Sequence, residues 1–241
     1  QGFSGPIYCS LPTKDLAKII LLDSAKIQTE DAQYANYMGF SKHSPAEPLY
    51  TVADAQVALS RFKPVDPLKW IRINPSFKFR LRKSGHILGS TFIELQAGEK
   101  VIAFSGDLGR TKPLILGAPE QIPKADVLIL ESTYGDRTHS KMQSIELLED
   151  LAHEAFSRNG SLVIPSFAVG RAQDILYLLS KLRSQKRLPP MPVYLDSPMA
   201  IDATDVFSNY PTWHNLKPKA VFQLCQNVVM VKNQSQSSEI L

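Results

Sequence analysis

The sequence predicts an α/β chain in two parts, and two observations carry that reading. In the first part, short runs at 91–96 and 101–105 are joined by Ala97-Gly98-Glu99-Lys100, a Gly-containing link that reads as a β-hairpin. In the second, Val127–Leu130, Leu162–Ile164 and Val193–Leu195 are continuous apolar runs, the pattern of strands buried on both faces. A helical pattern follows each of them, which argues for βαβ units and a parallel sheet.

Taken in order, residues 5–9 read as a short strand, and Thr13 is expected to cap a helix with Leu16, Ile19 and Ile20 on one face. The polar section through Pro48 reads as that helix fraying into a loop, with His43 a solvent-facing loop histidine. A second helix is expected from Thr51 to about Phe62, then strands near 68–72 and 76–82. From Lys69 to Lys83 there are six basic residues and no acidic one. Within that stretch Phe77, Phe79 and Leu81 alternate with Lys78, Arg80 and Arg82, a strand with one buried face. The cationic face suits either a phosphate backbone or a solvated edge strand guarding against aggregation. Further on, helices are expected over about 143–157 (Leu148, Leu151, Ala152, Ala155) and through Ala172, Ile175, Leu176, Leu179 and Leu182. His153 falls off the apolar face of its helix and is expected to be exposed; His214, beside Trp213, reads as packed or solvated. Val228–Val231 reads as a last strand, and the polar tail at 232–239 as a stretch with no closing element.

Length and composition bound the function classes. At 241 residues, 44% apolar and 21% charged, the chain can bury a full core. No run of about 18 apolar residues suggests a membrane span. Gln1–Pro6 lacks the basic and apolar regions of a signal peptide. Cys9 and Cys225 make no disulfide framework, so a reducing, cytoplasmic setting is expected. The net charge of +4 is mildly basic.

The chemistry concentrates between Gly85 and Arg137. Here lie Gly85–Ser90, Ser105–Arg110 and Glu131–Arg137, three polar signatures flanking the hairpin. His86 precedes its first strand and Asp107 follows its second, so pairing places them together at the open end. An imidazole and a carboxylate converging there suit zinc or manganese. Glu131-Ser132, Pro165-Ser166 and Asp196-Ser197 put polar residues at strand ends, where sites gather in open α/β sheets.

With these residues in hand, the chain resembles the β-CASP branch of the metallo-β-lactamase superfamily, zinc-dependent nucleases that include RNase J and the cleavage and polyadenylation endonuclease. The resemblance rests on 2–8 (Gly-Phe-Ser-Gly-Pro-Ile-Tyr), 85–90, 104–110, 131–137, 165–173 (Pro-Ser-Phe-Ala-Val-Gly-Arg-Ala-Gln) and 196–200 (Asp-Ser-Pro-Met-Ala), in family order. It implies a partial αββα metallo-β-lactamase sandwich over 1–133 and a partial Rossmann-like β-CASP domain over 134–241, with the active site between them. It implies His86 as a zinc ligand and Asp107 as a carboxylate bridging two zincs. Glu131 would orient a histidine acting as general acid, and phosphodiester hydrolysis in RNA would use two metals. Arg171 either holds a phosphate with help from the helix dipole or is a surface arginine, and Ser166 is its companion candidate for substrate binding. His139 reads as structural.

The family's His-x-His-x-Asp-His metal motif is not found among the five histidines, at 43, 86, 139, 153 and 214. The expectation is therefore an interior fragment, binding zinc weakly or not at all and inactive alone, from a parent zinc-dependent RNA-processing nuclease. Two other readings stay open: a non-catalytic β-CASP paralogue acting as an RNA-binding or scaffold subunit, and a DNA-directed β-CASP nuclease. RNA is the expected partner, with no membrane.

Overall fold

The computed structural model describes residues 2–122, 124–138 and 144–240. Strand β1 (Ile7–Cys9) lies parallel to β2 (Phe62–Pro64), with Ile7 opposite Phe62. Two helices connect them, α1 (Leu11–Met38) and α2 (Val52–Ser60). The cap of α1 is Ser10, not Thr13: the Ser10 hydroxyl accepts from the Thr13 backbone N–H, and Pro12 fits the first turn. The helix also runs well past the expected fraying point, to Gly39, whose φ of 68° and N–H bond to the Ala35 carbonyl close it. Its polar residues are good helix formers, and propensity with a clean stop outweighed the weak apolar stripe. At α2, Thr51 and Asp54 cap each other reciprocally.

A five-stranded sheet follows in the order β3 (Ile71–Arg72), β4 (Phe77–Lys83), β5 (Thr91–Ala97), β6 (Lys100–Phe104), β7 (Val127–Ile129). The expected hairpin is β5–β6, with Ala97 opposite Lys100 and Gly98 at φ 60° in the turn. The last pair, β6–β7, is parallel.

The cationic strand β4 departs from both sequence readings. It is interior, between β3 and β5, so it is not an edge strand. Nor is its charge free. Arg80 lies opposite Glu94 in the ladder, and the Nε groups of Arg80 and Arg82 both pair with the buried Glu94 carboxylate. The Arg80 guanidinium also sits 4.5 Å from the Trp70 ring centre and the Lys78 ammonium 4.9 Å from it. On the other face Phe79 and Leu81 are buried, with the ring of Tyr8 of β1 tilted against Phe79 at 5.2 Å between centroids.

The second part comprises α3 (Ser144–Ser157), α4 (Arg171–Ser184), β8 (Val193–Asp196), α5 (Pro198–Ser208), a 3₁₀ turn (Pro211–Trp213), α6 (Pro218–Leu224), β9 (Val228–Val231) and α7 (Gln234–Ser238). Strands β8 and β9 pair in parallel. The tail does close: α7 is capped by Asn233, and Ser237 donates to Asp196 at 2.6 Å. Leu162–Ile164 is not a strand, because no ladder partner reaches it among the described residues. Leu162 and Ile164 pack instead against Leu148, Leu178 and Leu182 of α3 and α4, while Val163 points outward. Val127–Ile129 pairs on one side only and its side chains are half exposed, rather than buried on both faces.

The two parts share one core. Leu16, Leu88, Ile115 and Leu116 from the first pack with Leu176, Ala203, Phe207 and Leu224 from the second. At the seam the Tyr210 hydroxyl donates to Asp15 at 2.5 Å, Lys83 donates to the Thr212 carbonyl at 2.6 Å, and Asn215 N–H donates to the Ile115 carbonyl at 2.8 Å. His214 is packed, as one of its two readings had it, stacked 4.4 Å from Phe207. His43 and His153 are exposed as expected, and His139 lies outside the described residues.

Candidate active-site cleft

Two backbone loops at one end of the large sheet build the site's floor. The loop at 84–90 is organised by Ser90, whose hydroxyl accepts the N–H groups of His86 and Ile87, both at 3.1 Å. A second loop follows β6, and its Gly109 N–H donates to the Ser84 carbonyl at 2.8 Å. The two loops touch so closely that a Cβ at Gly109 would lie 2.0 Å from the Gly85 carbonyl oxygen. Gly85, at φ 68°, is itself pressed against the Gly117 carbonyl. Backbone contact therefore fixes where His86 and Asp107 emerge. Ser10 ties the same floor to α1, donating to the Gly89 carbonyl at 2.7 Å.

His86 Nε2 and Asp107 Oδ2 stand 3.8 Å apart, with side chains 45% and 72% exposed. The expected convergence at the open end of the hairpin is present. Glu131, just beyond β7, reaches back: its Oε1 accepts the Leu108 N–H at 2.6 Å, and its own N–H donates to the Ser105 hydroxyl at 2.9 Å. The Leu108 N–H, with help from Thr133, holds the Glu131 carboxyl below its ordinary pKa. Glu131 thus grips the backbone that presents Asp107.

These residues line one side of a cleft of about 880 Å³ whose other side includes Phe167, Arg171 and Asp174. Arg171 begins α4 and faces the cleft. Ser166 lies exposed between the lining residues Pro165 and Phe167, and its hydroxyl donates to the Ile164 carbonyl at 3.3 Å. Sequence reasoning missed Asp174, Arg110 and Phe167. Burial raises the Asp174 pKa against the opposing pull of Arg171 and Arg110. Asp174 sits in the first turn of α4, where an acid is ordinary, so no sequence pattern marks it. The available signal for Phe167 was an aromatic residue within a Pro/Ser/Gly loop just before an arginine.

A tetrahedral zinc sets its donors about 3.4 Å apart, so His86 and Asp107 fit as two ligands of one ion. Among the described residues no group of three His, Cys, Asp or Glu side chains is arranged to hold one.

Fold and cleft define an α/β protein with two candidate metal donors at the strand ends of one sheet, facing a helix N-terminus across a groove. The Beta-Casp domain model matches residues 172–241. Similar proteins include "Ribonuclease TTHA0252" of Thermus thermophilus, 33% identical over 88% of this chain and 44% of its own length. "Transcription termination factor FttA" of Methanocaldococcus jannaschii is 32% identical over 88% of this chain and 32% of its own. "Integrator complex subunit 11 homolog" of Dictyostelium discoideum is 28% identical over 92% and 28%. The chain belongs to the β-CASP family of metallo-β-lactamase-fold proteins. It spans less than half the length of these relatives.

Proposed function

We propose that this chain is part of a cytoplasmic, zinc-dependent nuclease that hydrolyses phosphodiester bonds in RNA, with the active site in the cleft between residues 1–133 and 134–241. The observation that carries it is the 3.8 Å approach of His86 and Asp107 on the cleft wall. Two similar proteins whose names are a ribonuclease and a transcription termination factor support RNA as the substrate. His86 and Asp107 would hold zinc together with donors beyond the described residues. Bound there, zinc would supply Lewis-acid stabilisation of charge on the phosphoryl oxygens and an activated water. The chain's own residues position the reaction: Glu131 fixes the Asp107 loop, and Arg171 offers a cation to the phosphate across the groove. No helix among the described residues is long and apolar enough to cross a membrane.

The test uses the full-length protein and labelled RNA and DNA oligonucleotides. RNA cleavage that needs zinc and is abolished in Asp107→Ala and His86→Ala is the expected result. Undiminished cleavage by Asp107→Ala would overturn the assignment. The 241-residue chain alone is expected to bind zinc weakly and to leave RNA intact; two tightly bound ions would refute that.

A further inference from the structure

A single residue on the far wall has a position that phosphate chemistry does not explain. Phe167 is 84% exposed, yet it lines the cleft within the segment that leads into α4. Exposed apolar side chains are common on this chain, and what sets Phe167 apart is its place on the lining of the groove that also carries His86 and Asp107.

Its backbone is nevertheless firmly held. Gln173, only 2% exposed, donates to the Ala168 carbonyl at 3.0 Å, accepts the Gly170 N–H at 2.7 Å and donates to Thr204 at 2.9 Å. Val169 packs onto the shared core, and Pro165 stiffens the approach. The ring is thus displayed by a fixed loop. Around it the groove carries Arg110, Lys112 and Arg171, none in a salt bridge among the described residues. An exposed aromatic ring in a groove that also carries cations outside any salt bridge is the composition of a single-strand groove, where bases stack and cations follow the backbone.

We infer that Phe167 is the base-stacking platform of the cleft. A nucleobase lies on the Phe167 ring while the adjoining phosphate is held by Arg171 and Arg110. The inference rests on the RNA reading of the same cleft. Duplex RNA keeps its bases stacked on one another and gains nothing from the ring.

The experiment measures anisotropy of a labelled oligoribonucleotide with the full-length protein in EDTA, so binding is read apart from hydrolysis. Phe167→Ala should weaken single-strand binding roughly 5- to 150-fold, and Phe167→Trp should retain it. A strand with one abasic ribose, moved along its length, should at one position weaken wild-type binding by a similar factor. That same strand should bind Phe167→Ala no worse than the complete strand does. Duplex of the same length should bind more weakly and ignore both substitutions. The inference is overturned if Phe167→Ala binds like wild type, if it weakens complete and abasic strands equally, or if duplex binding depends on Phe167. Single-strand binding without zinc-dependent cleavage would leave the platform standing and remove the nuclease reading instead.

Discussion

Strand β4 carries a row of cations along the sequence and the cleft gathers cations from distant loops, and the structure uses the two sets in opposite ways. On β4 the cations meet a counter-charge on the facing strand. Glu94 is buried and takes both Arg80 and Arg82, and Trp70 covers Arg80 and Lys78. In the cleft, Arg110, Lys112 and Arg171 make no salt bridge among the described residues, Asp174 only feels the pull of Arg110 and Arg171, and the carboxylate of Asp107 is mostly exposed. A run of like charge predicts a binding surface only when no opposite charge lies across the ladder. One glutamate two strand positions from a Phe decides it.

The largest effect should come from breaking the paired region. Glu94→Ala leaves two arginines, each mostly buried, without their carboxylate, and should cost about 3–5 kcal/mol in urea unfolding. A cost below about 1 kcal/mol would mean the arginines turn to solvent and β4 is a cationic surface after all. Next, Glu131→Ala frees the backbone that carries Asp107 and should weaken zinc binding by the full-length protein about 10–100-fold, read by chelator competition. Equal affinity would show that the Leu108 contact does not position the ligand.

A smaller contrast comes from salt dependence. Arg171→Ala should lower the log–log salt slope of RNA binding by about one, while Lys78→Ala, whose ammonium sits over Trp70, should leave it unchanged. The reverse outcome would move the phosphate path onto the sheet. The smallest effect is in pH. Because the folded-state pKa of Glu131 is below its ordinary 4.5, its contribution to stability is present above that value and is lost as pH falls through the depressed one. Melting temperatures of wild type and Glu131→Gln should therefore differ at pH 6 and converge as the pH drops below about 4.5. A difference that persists at low pH would show that charge on Glu131 is irrelevant to its grip.

Much of this site was legible early because it depends on local pairing. A Gly-containing link between two apolar runs was enough to bring His86 beside Asp107. For Arg171 the sequence left a phosphate holder and a surface arginine both open, and the fold puts it on the same groove as Glu131. Other features were hidden for a common reason: they depend on which group occupies the facing position. The bond from Leu108 N–H to Glu131 joins residues 23 apart, through a loop whose path no periodicity describes. The extent of α1 was misread because weak amphipathicity resembles a loop until a cap such as Gly39 stops the helix. Leu162–Ile164 has strand composition, but composition supplies no ladder partner.

The sequence by itself determined the hairpin and the meeting of His86 and Asp107 at its open end, since these follow from alternation and turn chemistry over a few residues. Tertiary structure alone decided that the arginines of β4 pair with Glu94, that one core runs beneath both parts, and that Phe167 stands exposed on the groove lining. Those outcomes are set by distances between residues far apart in the chain, and free charge or an open ring is a property of neighbours rather than of the residue itself.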